Sequence, residues 1–196
     1  MQGRLALFDF DGTITRKDSF IRFIRFYKGS VLTLFGFILL SPVILLYKCG
    51  LIKSWRAKEI VMTWFFRNER YDIFKFKCRE FGLKIIPGLV NASALNSIND
   101  HIRNGDRVIV ISATLEEYLA VWCDQLKLEL LATRIEVEKG LITGKIRGKN
   151  CRGAEKKARL NEYLDIRPYK DIFVYCDSRS DKPLMDLANH KFYKYF

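Results

Sequence analysis

One stretch constrains this chain more than any other: Leu5-Ala6-Leu7-Phe8-Asp9-Phe10-Asp11-Gly12-Thr13, an apolar run that ends abruptly in two carboxylates and a glycine. A continuous apolar run closed by a Gly-Thr turn reads as a strand covered on both faces, as in a parallel sheet between layers of helices. Ligands of such sheets bind beyond the carboxyl ends of the strands, which is where Asp9 and Asp11 fall. Two aspartates in that position have several uses. They offer hard oxygen ligands to a cation, or one serves as nucleophile and the other as acid and base, or Asp11-Gly12 simply closes the strand with an Asx turn.

The pattern of a strand end followed by polar residues recurs twice. Val108-Ile109-Val110-Ile111 runs into Ser112-Ala113-Thr114, and Ile172-Phe173-Val174-Tyr175-Cys176 runs into Asp177-Ser178-Arg179-Ser180-Asp181. Between them, Cys151-Arg152-Gly153-Ala154-Glu155-Lys156 opens a helical segment with a lysine in its first turns. In this order and spacing the set resembles the four motifs of the haloacid dehalogenase superfamily, in its phosphoserine-phosphatase-like branch, from Leu5 to about Met185.

The resemblance implies a Rossmann-like α/β fold, a parallel sheet with helices on both faces, carrying an inserted α-helical cap and a small β-hairpin. It divides the chain into a core of residues 1–16 and 87–196 and a cap of residues 17–86. It also implies a Mg²⁺-dependent phosphomonoesterase acting on a small phosphorylated metabolite or headgroup. Asp9 would attack phosphorus to form an aspartyl-phosphate. Asp11 would protonate the leaving alkoxide, activate the hydrolytic water and offer its backbone carbonyl to the metal. Asp177 would complete the metal site with Asp9 and Asp11, supported from behind by Asp181. Ser112 and Ala113 would hold the phosphoryl group, and Lys156 would pair with both Asp9 and the phosphate.

The family pattern Cys-x-Gly-x-x-Lys-x-x-x-Leu falls on Cys151, Gly153, Lys156 and Leu160, which selects Lys156 over Lys157. Asp18 stands where phosphoserine phosphatases carry an acidic residue facing the substrate amine. Cys176 stands where that branch has glycine, a departure that bears on the local turn, and Ala113-Thr114 stands where phosphoserine phosphatases have glycines, so phosphoserine is not carried over as the substrate. Each residue also has a plainer use: Asp18, Ser112, Thr114, Asp177 and Asp181 as helix N-caps, Lys156 and Lys157 on a solvated helix face. Two rival functions share these residues or this fold, a phosphotransferase and a non-catalytic module binding a membrane surface or nucleic acid.

The length of 196 residues suits one domain with an inserted subdomain, and 49% hydrophobic residues suffice for a packed core. Five cysteines without CxxC spacing and only two histidines argue against a zinc site or a disulfide framework. With no signal peptide before the first strand, a cytoplasmic location is expected, peripheral to the inner membrane surface if the cap meets lipid. The net charge is +12, and the segment from Lys17 to Lys84, with 14 Lys/Arg against 5 Asp/Glu, carries most of it.

Glycines and the Ser41-Pro42 pair split the cap into several helices. Phe20, Phe23, Ile24 and Tyr27 fall at i, i+3, i+4 and i+7 of an amphipathic helix over 19–27. Val31 to Tyr47 holds seventeen residues without a charge, at the lower edge of what spans a bilayer. A buried helix or helical hairpin, an interfacial segment and a true span all fit. The internal proline and the short run weaken the span, and a single crossing would separate the Asp9 strand from the Asp177 strand. Aromatic and basic residues interleave over 55–81, which suits helices with a buried aromatic face better than nucleic-acid stacking.

Beyond Pro87, strands are expected at 107–111, 130–138, 141–147, 171–176 and 191–195. Helices are expected at 89–103, 115–128, 153–164 and 181–188. This alternation implies a parallel sheet with right-handed crossovers.

Overall fold

The computed structural model describes residues 3–196. Six strands form one sheet: β1 (Arg4–Phe8), β2 (Arg107–Leu115), β3 (Glu129–Glu138), β4 (Leu141–Arg147), β5 (Asp171–Cys176) and β6 (His190–Tyr193). Their spatial order is β4-β3-β2-β1-β5-β6, parallel throughout except for the β3–β4 hairpin. The fold is thus the expected Rossmann-like α/β arrangement with a helical insertion.

Alternation along β1 explains why both faces are apolar. Leu5 and Leu7 pack with Ile109, Ile111, Val174 and Leu160 on one side, while Ala6 and Phe8 join Val110 and the aromatic cluster on the other. The chain leaves β1 toward β2 and β3 and later returns to β5 on the opposite flank. The carboxyl end of β1 is therefore the point where strand order reverses, the position at which open α/β sheets leave a crevice.

Nine α-helices surround the sheet among the described residues. Five form the insertion that follows β1: α1 (Ser19–Lys28), α2 (Ser30–Leu39), α3 (Ser41–Lys48), α4 (Ser54–Phe66) and α5 (Tyr71–Lys84). The others are α6 (Ala92–Arg103), α7 (Glu116–Gln125), α8 (Ala154–Tyr163) and α9 (Lys182–Met185). The two ends of the five-helix insertion meet at a bridge between Thr15 and Val90, and the Asn91 N–H donates to the Ile14 carbonyl at 2.8 Å. Phe23 of α1 stacks against Phe66, Phe74 and Phe81 of the insertion and against Tyr118 of α7, so one aromatic cluster joins the insertion to the sheet layer.

The turn between α4 and α5 covers the edge strand β4. Asn68 donates to the Ile142 carbonyl at 2.8 Å and Ile142 donates back to the Glu69 carbonyl at 3.0 Å. Gly144 is the close-approach point of α4 on β4: its φ is +86°, and a Cβ there would lie 2.5 Å from the Thr63 Cα. Gly144→Ala is therefore expected to lower the unfolding free energy by about 2–4 kcal/mol, combining a left-handed backbone with overpacking against main chain. Urea denaturation followed by circular dichroism checks this, and an unchanged midpoint would sink it.

Three expectations are corrected. Val31 to Tyr47 is indeed helical and broken, as α2 and α3 bent by 60°, but the segment is not buried as a whole: Thr33, Gly36 and Leu40 are buried, Phe37 and Val43 are partly buried against the core, and most of its other apolar side chains are exposed. No single helix among the described residues is long and apolar enough to cross a membrane. The neighbouring positions of β1 and β5 in one sheet are likewise incompatible with a single crossing between them. Second, the strand expected at 107–111 continues to Leu115 and α7 begins at Glu116, because β2 carries an irregularity between Ile111 and Leu115 that keeps Ser112 to Thr114 in the extended strand. Third, the final helix shrinks to a 3₁₀ turn followed by one α-turn. Asn189 pulls the chain back to β5, its amide oxygen accepting from the Ile172 N–H at 3.0 Å.

Candidate active site

Asp9 is the first residue beyond β1, and its N–H donates to the Tyr175 carbonyl at 2.9 Å, which extends the β1–β5 ladder by one step. Its Oδ1 accepts from the Phe10 N–H at 2.8 Å and lies 2.8 Å from the Lys156 ammonium. Among the described residues no protein group donates to Oδ2 of Asp9.

Lys156 sits in the first turn of α8, on the face that also carries Leu160 into the core, and its side chain is 2% exposed. Its ammonium donates to Asp181 Oδ2 at 3.0 Å as well. Burial works against the charge on Lys156, but Asp9 and Asp181 outweigh it and raise its pKa. The solvated-face alternative thus fits Lys157 and not Lys156.

Asp177 follows β5, and one carboxylate oxygen from each of Asp9, Asp177 and Asp181 lies within 4.8 Å of the others. Burial, then the neighbouring Asp9, raises the Asp177 pKa, and burial raises that of Asp181. Asp181 Oδ1 is buried without a partner, and the carboxylate does not cap α9, so the N-cap alternative fails for its side chain. Gly12 cradles the cluster: its φ is +83°, and a Cβ there would fall 2.1 Å from Asp177 Oδ2. A set of three carboxylates with an orphaned buried oxygen suits a hard divalent cation that keeps waters, as Mg²⁺ does.

The Asp11 carboxylate stands apart from that cluster. Its Oδ1 accepts from the Ser19 N–H at the start of α1 at 2.8 Å, and burial together with Asp18 pushes its pKa up to about 7. Asp18 is the N-cap of α1, accepting from the Ile21 N–H at 3.0 Å, and it also lines the cavity. Ser112 is buried at the strand irregularity, where its Oγ accepts from the Thr114 N–H at 3.1 Å. That leaves its own proton free to donate. Neither Ser112 nor Thr114 caps α7, whose N-cap is Leu115. Asp9, Asp11, Ser112, Lys156, Asp177 and Asp181 together line a cavity of about 320 Å³.

Three residues that the sequence did not single out share that neighbourhood. Lys58, from α4, donates to the Ala113 carbonyl at 2.5 Å beside Ser112, and burial lowers its pKa to about 8. Arg152, inside the Cys151–Lys156 motif, donates to the Tyr47 hydroxyl of α3 at 2.8 Å, and both line the cavity. Arg152 was discoverable from its motif, whereas Lys58 and Tyr47 arrive only through the packing of the insertion.

A relative named Protein CicA, from Caulobacter vibrioides, is 28% identical over 98% of this chain and 86% of its own length. A solved structure of a protein of unknown function from Bordetella pertussis Tohama I shares the fold with a TM-score of 0.84 at 22% identity, covering 97% of this chain and 89% of that one. A phosphoserine phosphohydrolase-like protein from Francisella tularensis subsp. tularensis SCHU S4 superposes with a TM-score of 0.69 at 15% identity, over 95% of this chain and 84% of its own. The family model for haloacid dehalogenase-like hydrolases matches residues 6–186. With four motifs converging on one cavity and that model spanning nearly the whole chain, the protein belongs to the haloacid dehalogenase-like hydrolase family.

Proposed function

We propose that this protein is a Mg²⁺-dependent phosphomonoesterase that works through an aspartyl-phosphate on Asp9. The observation that carries the reading is the ion-paired Asp9–Lys156–Asp181 set beside Asp177, at the carboxyl ends of two adjacent parallel strands. Lys156 and the Phe10 N–H both engage Oδ1 of Asp9, so Oδ2 is the oxygen available to attack phosphorus. As the Asp9–phosphorus bond forms, the bond to the substrate's ester oxygen breaks, and Asp11 gives that oxygen its proton. Asp11 then takes a proton from water as the water oxygen attacks phosphorus, which releases inorganic phosphate and restores Asp9. A carboxyl held near neutrality by burial can do both jobs.

Ser112, with the backbone at Ala113, holds the phosphoryl oxygens, and Lys156 offsets their charge. Mg²⁺, when bound, would be held by Asp9, Asp177 and the backbone carbonyl of Asp11, with Asp181 behind them, and supplies further positive charge to the phosphoryl group. The position of the Asp11 carboxylate on Ser19 agrees with a metal role for its carbonyl alone.

Residues 17–86 act in this reading as a cap over a core of residues 1–16 and 87–196. Asp18, Tyr47 and Lys58 bring its surface to the site, with Asp18 offered to the substrate. The substrate is a small phosphorylated molecule or headgroup.

The test is hydrolysis of a generic aryl phosphate by the purified protein. Chelation with EDTA is expected to reduce the rate by about 10³-fold, as loss of several kcal/mol of charge stabilisation implies, and added Mg²⁺ to restore it. Undiminished hydrolysis in EDTA would overturn the metal-dependent mechanism.

A further inference from the structure

α2 and α3 present an apolar surface with nothing against it. Val31 is 85% exposed, Leu34 65%, Ile38 60% and Leu45 63%. The inward face of α2 is narrow, formed by Thr33, Gly36 and Phe37, with Leu40 buried just beyond its end. Gly36 is packed so closely that a Cβ would lie 2.5 Å from the Phe65 ring. The remaining face of α2 is therefore a continuous hydrocarbon surface that the fold itself does not cover, and such patches mark interaction sites.

Its charge setting indicates the partner. From Ser19 to Lys58 the chain carries seven Lys/Arg and no Asp or Glu. Arg25, Lys48, Lys53 and Arg56 are exposed beside the ends of α2 and α3. An apolar face carried by a segment whose charges are all positive matches the lipid–water boundary of an anionic bilayer, where hydrocarbon enters the acyl region and lysines meet headgroup phosphates. A second copy of this chain fits worse, because a two-fold contact would set the same cationic rims against each other. α2 alone is about 15 Å long, half of a hydrocarbon core of about 30 Å, and the 60° bend to α3 keeps the two from forming one straight span, which suits lying in the interface.

The same two helices line the way to the site. A second cavity of about 300 Å³ has Phe37 of α2 and Val43, Ile44 and Tyr47 of α3 along one wall. It shares Asp11, Asp18, Tyr47, Ala113 and Arg152 with the cavity that holds Asp9. An apolar chamber thus adjoins the phosphoryl chemistry, walled by the helices whose outer faces are bare.

We propose that α2 and α3 seat this protein on an anionic bilayer surface, and that its substrate is an amphiphilic phosphomonoester drawn from that surface. The substrate half rests on the phosphatase reading; the docking half does not.

Docking is tested by co-sedimentation at low salt with vesicles of phosphatidylcholine alone, and of phosphatidylcholine and phosphatidylglycerol in equal amounts. The wild type is expected in the pellet with the mixed vesicles. The double variant Leu34→Glu/Leu45→Glu should partition at least about tenfold less, since two exposed leucines that would enter the acyl region are replaced by charges, while its hydrolysis of a soluble aryl phosphate stays unchanged. Wild type left in the supernatant, or equal pelleting of the variant, overturns docking. So does a wild type that self-associates through this face in sedimentation velocity without binding vesicles.

The substrate class is tested with ethyl phosphate against monodecyl phosphate below its micelle concentration. The long chain is expected to raise kcat/KM at least about tenfold, because it buries apolar surface in the chamber lined by Phe37, Val43 and Ile44 that ethyl phosphate leaves empty. Equal values overturn the amphiphile. Loss of all phosphomonoester hydrolysis with vesicle binding intact would instead strike the phosphatase reading alone.

Discussion

Asp9→Asn reduces turnover of an aryl phosphate by about 10⁴-fold or more while leaving the protein folded. Asparagine has the shape of aspartate and keeps an oxygen to accept from the Phe10 N–H, so the turn after β1 is preserved. Lys156 loses one of its two anionic neighbours but retains Asp181 at 3.0 Å, so no unpaired cation is left in the core. What disappears is the carboxylate oxygen Oδ2, which an amide nitrogen replaces. A neutral amide is too weak a nucleophile to take the phosphoryl group, and no other carboxylate is in its place: Asp11 is turned to Ser19, and Asp181 is engaged by Lys156. The measurement is steady-state hydrolysis with Mg²⁺ beside far-UV circular dichroism. A variant that keeps more than about a tenth of wild-type turnover would remove Asp9 from the chemistry, since loss of a covalent nucleophile is never that mild.

The parts legible in the sequence are those where local pattern and tertiary role coincide. β1 reads as a doubly covered strand because every residue from Leu5 to Phe8 is apolar, and the structure buries all four. Asp9, Lys156, Asp177 and Asp181 were legible because each follows a short motif whose backbone course brings it to the same edge of the sheet.

The rest depended on distance in three dimensions. Seventeen uncharged residues from Val31 say that a segment is apolar but not which of its faces finds a partner; here the face of Thr33, Gly36, Phe37 and Leu40 does, while Val31, Leu34 and Ile38 stay exposed. The extension of β2 through Ser112 comes from a ladder irregularity against β3, which no pattern within 107–115 encodes. Lys58 lies 55 residues from its acceptor Ala113, and nothing around it in the chain distinguishes it from the other basic residues of the insertion.

Lys156→Met has the largest expected effect on stability. The lysine is the only cation in contact with Asp9 and Asp181 among the described residues. Methionine fills much the same volume, so the change isolates the charge. Removing one partner of a buried ion pair leaves the others without compensation and costs about 3–5 kcal/mol, more than the pair itself contributes over an apolar replacement. For a chain of this size that corresponds to a fall in Tm of about 6–20 °C. If the cost comes from stranded carboxylates and not from poor packing of methionine, neutralising one of them must return part of it. The double variant Lys156→Met/Asp181→Asn is therefore expected to unfold later than Lys156→Met alone, with a coupling of about 1–3 kcal/mol in the double-mutant cycle. Metal-free protein is the correct sample, so that no added cation takes the place of the ammonium. Strictly additive effects would show that Lys156 is held by packing, and that its ion pairs with Asp9 and Asp181 do not organise the site.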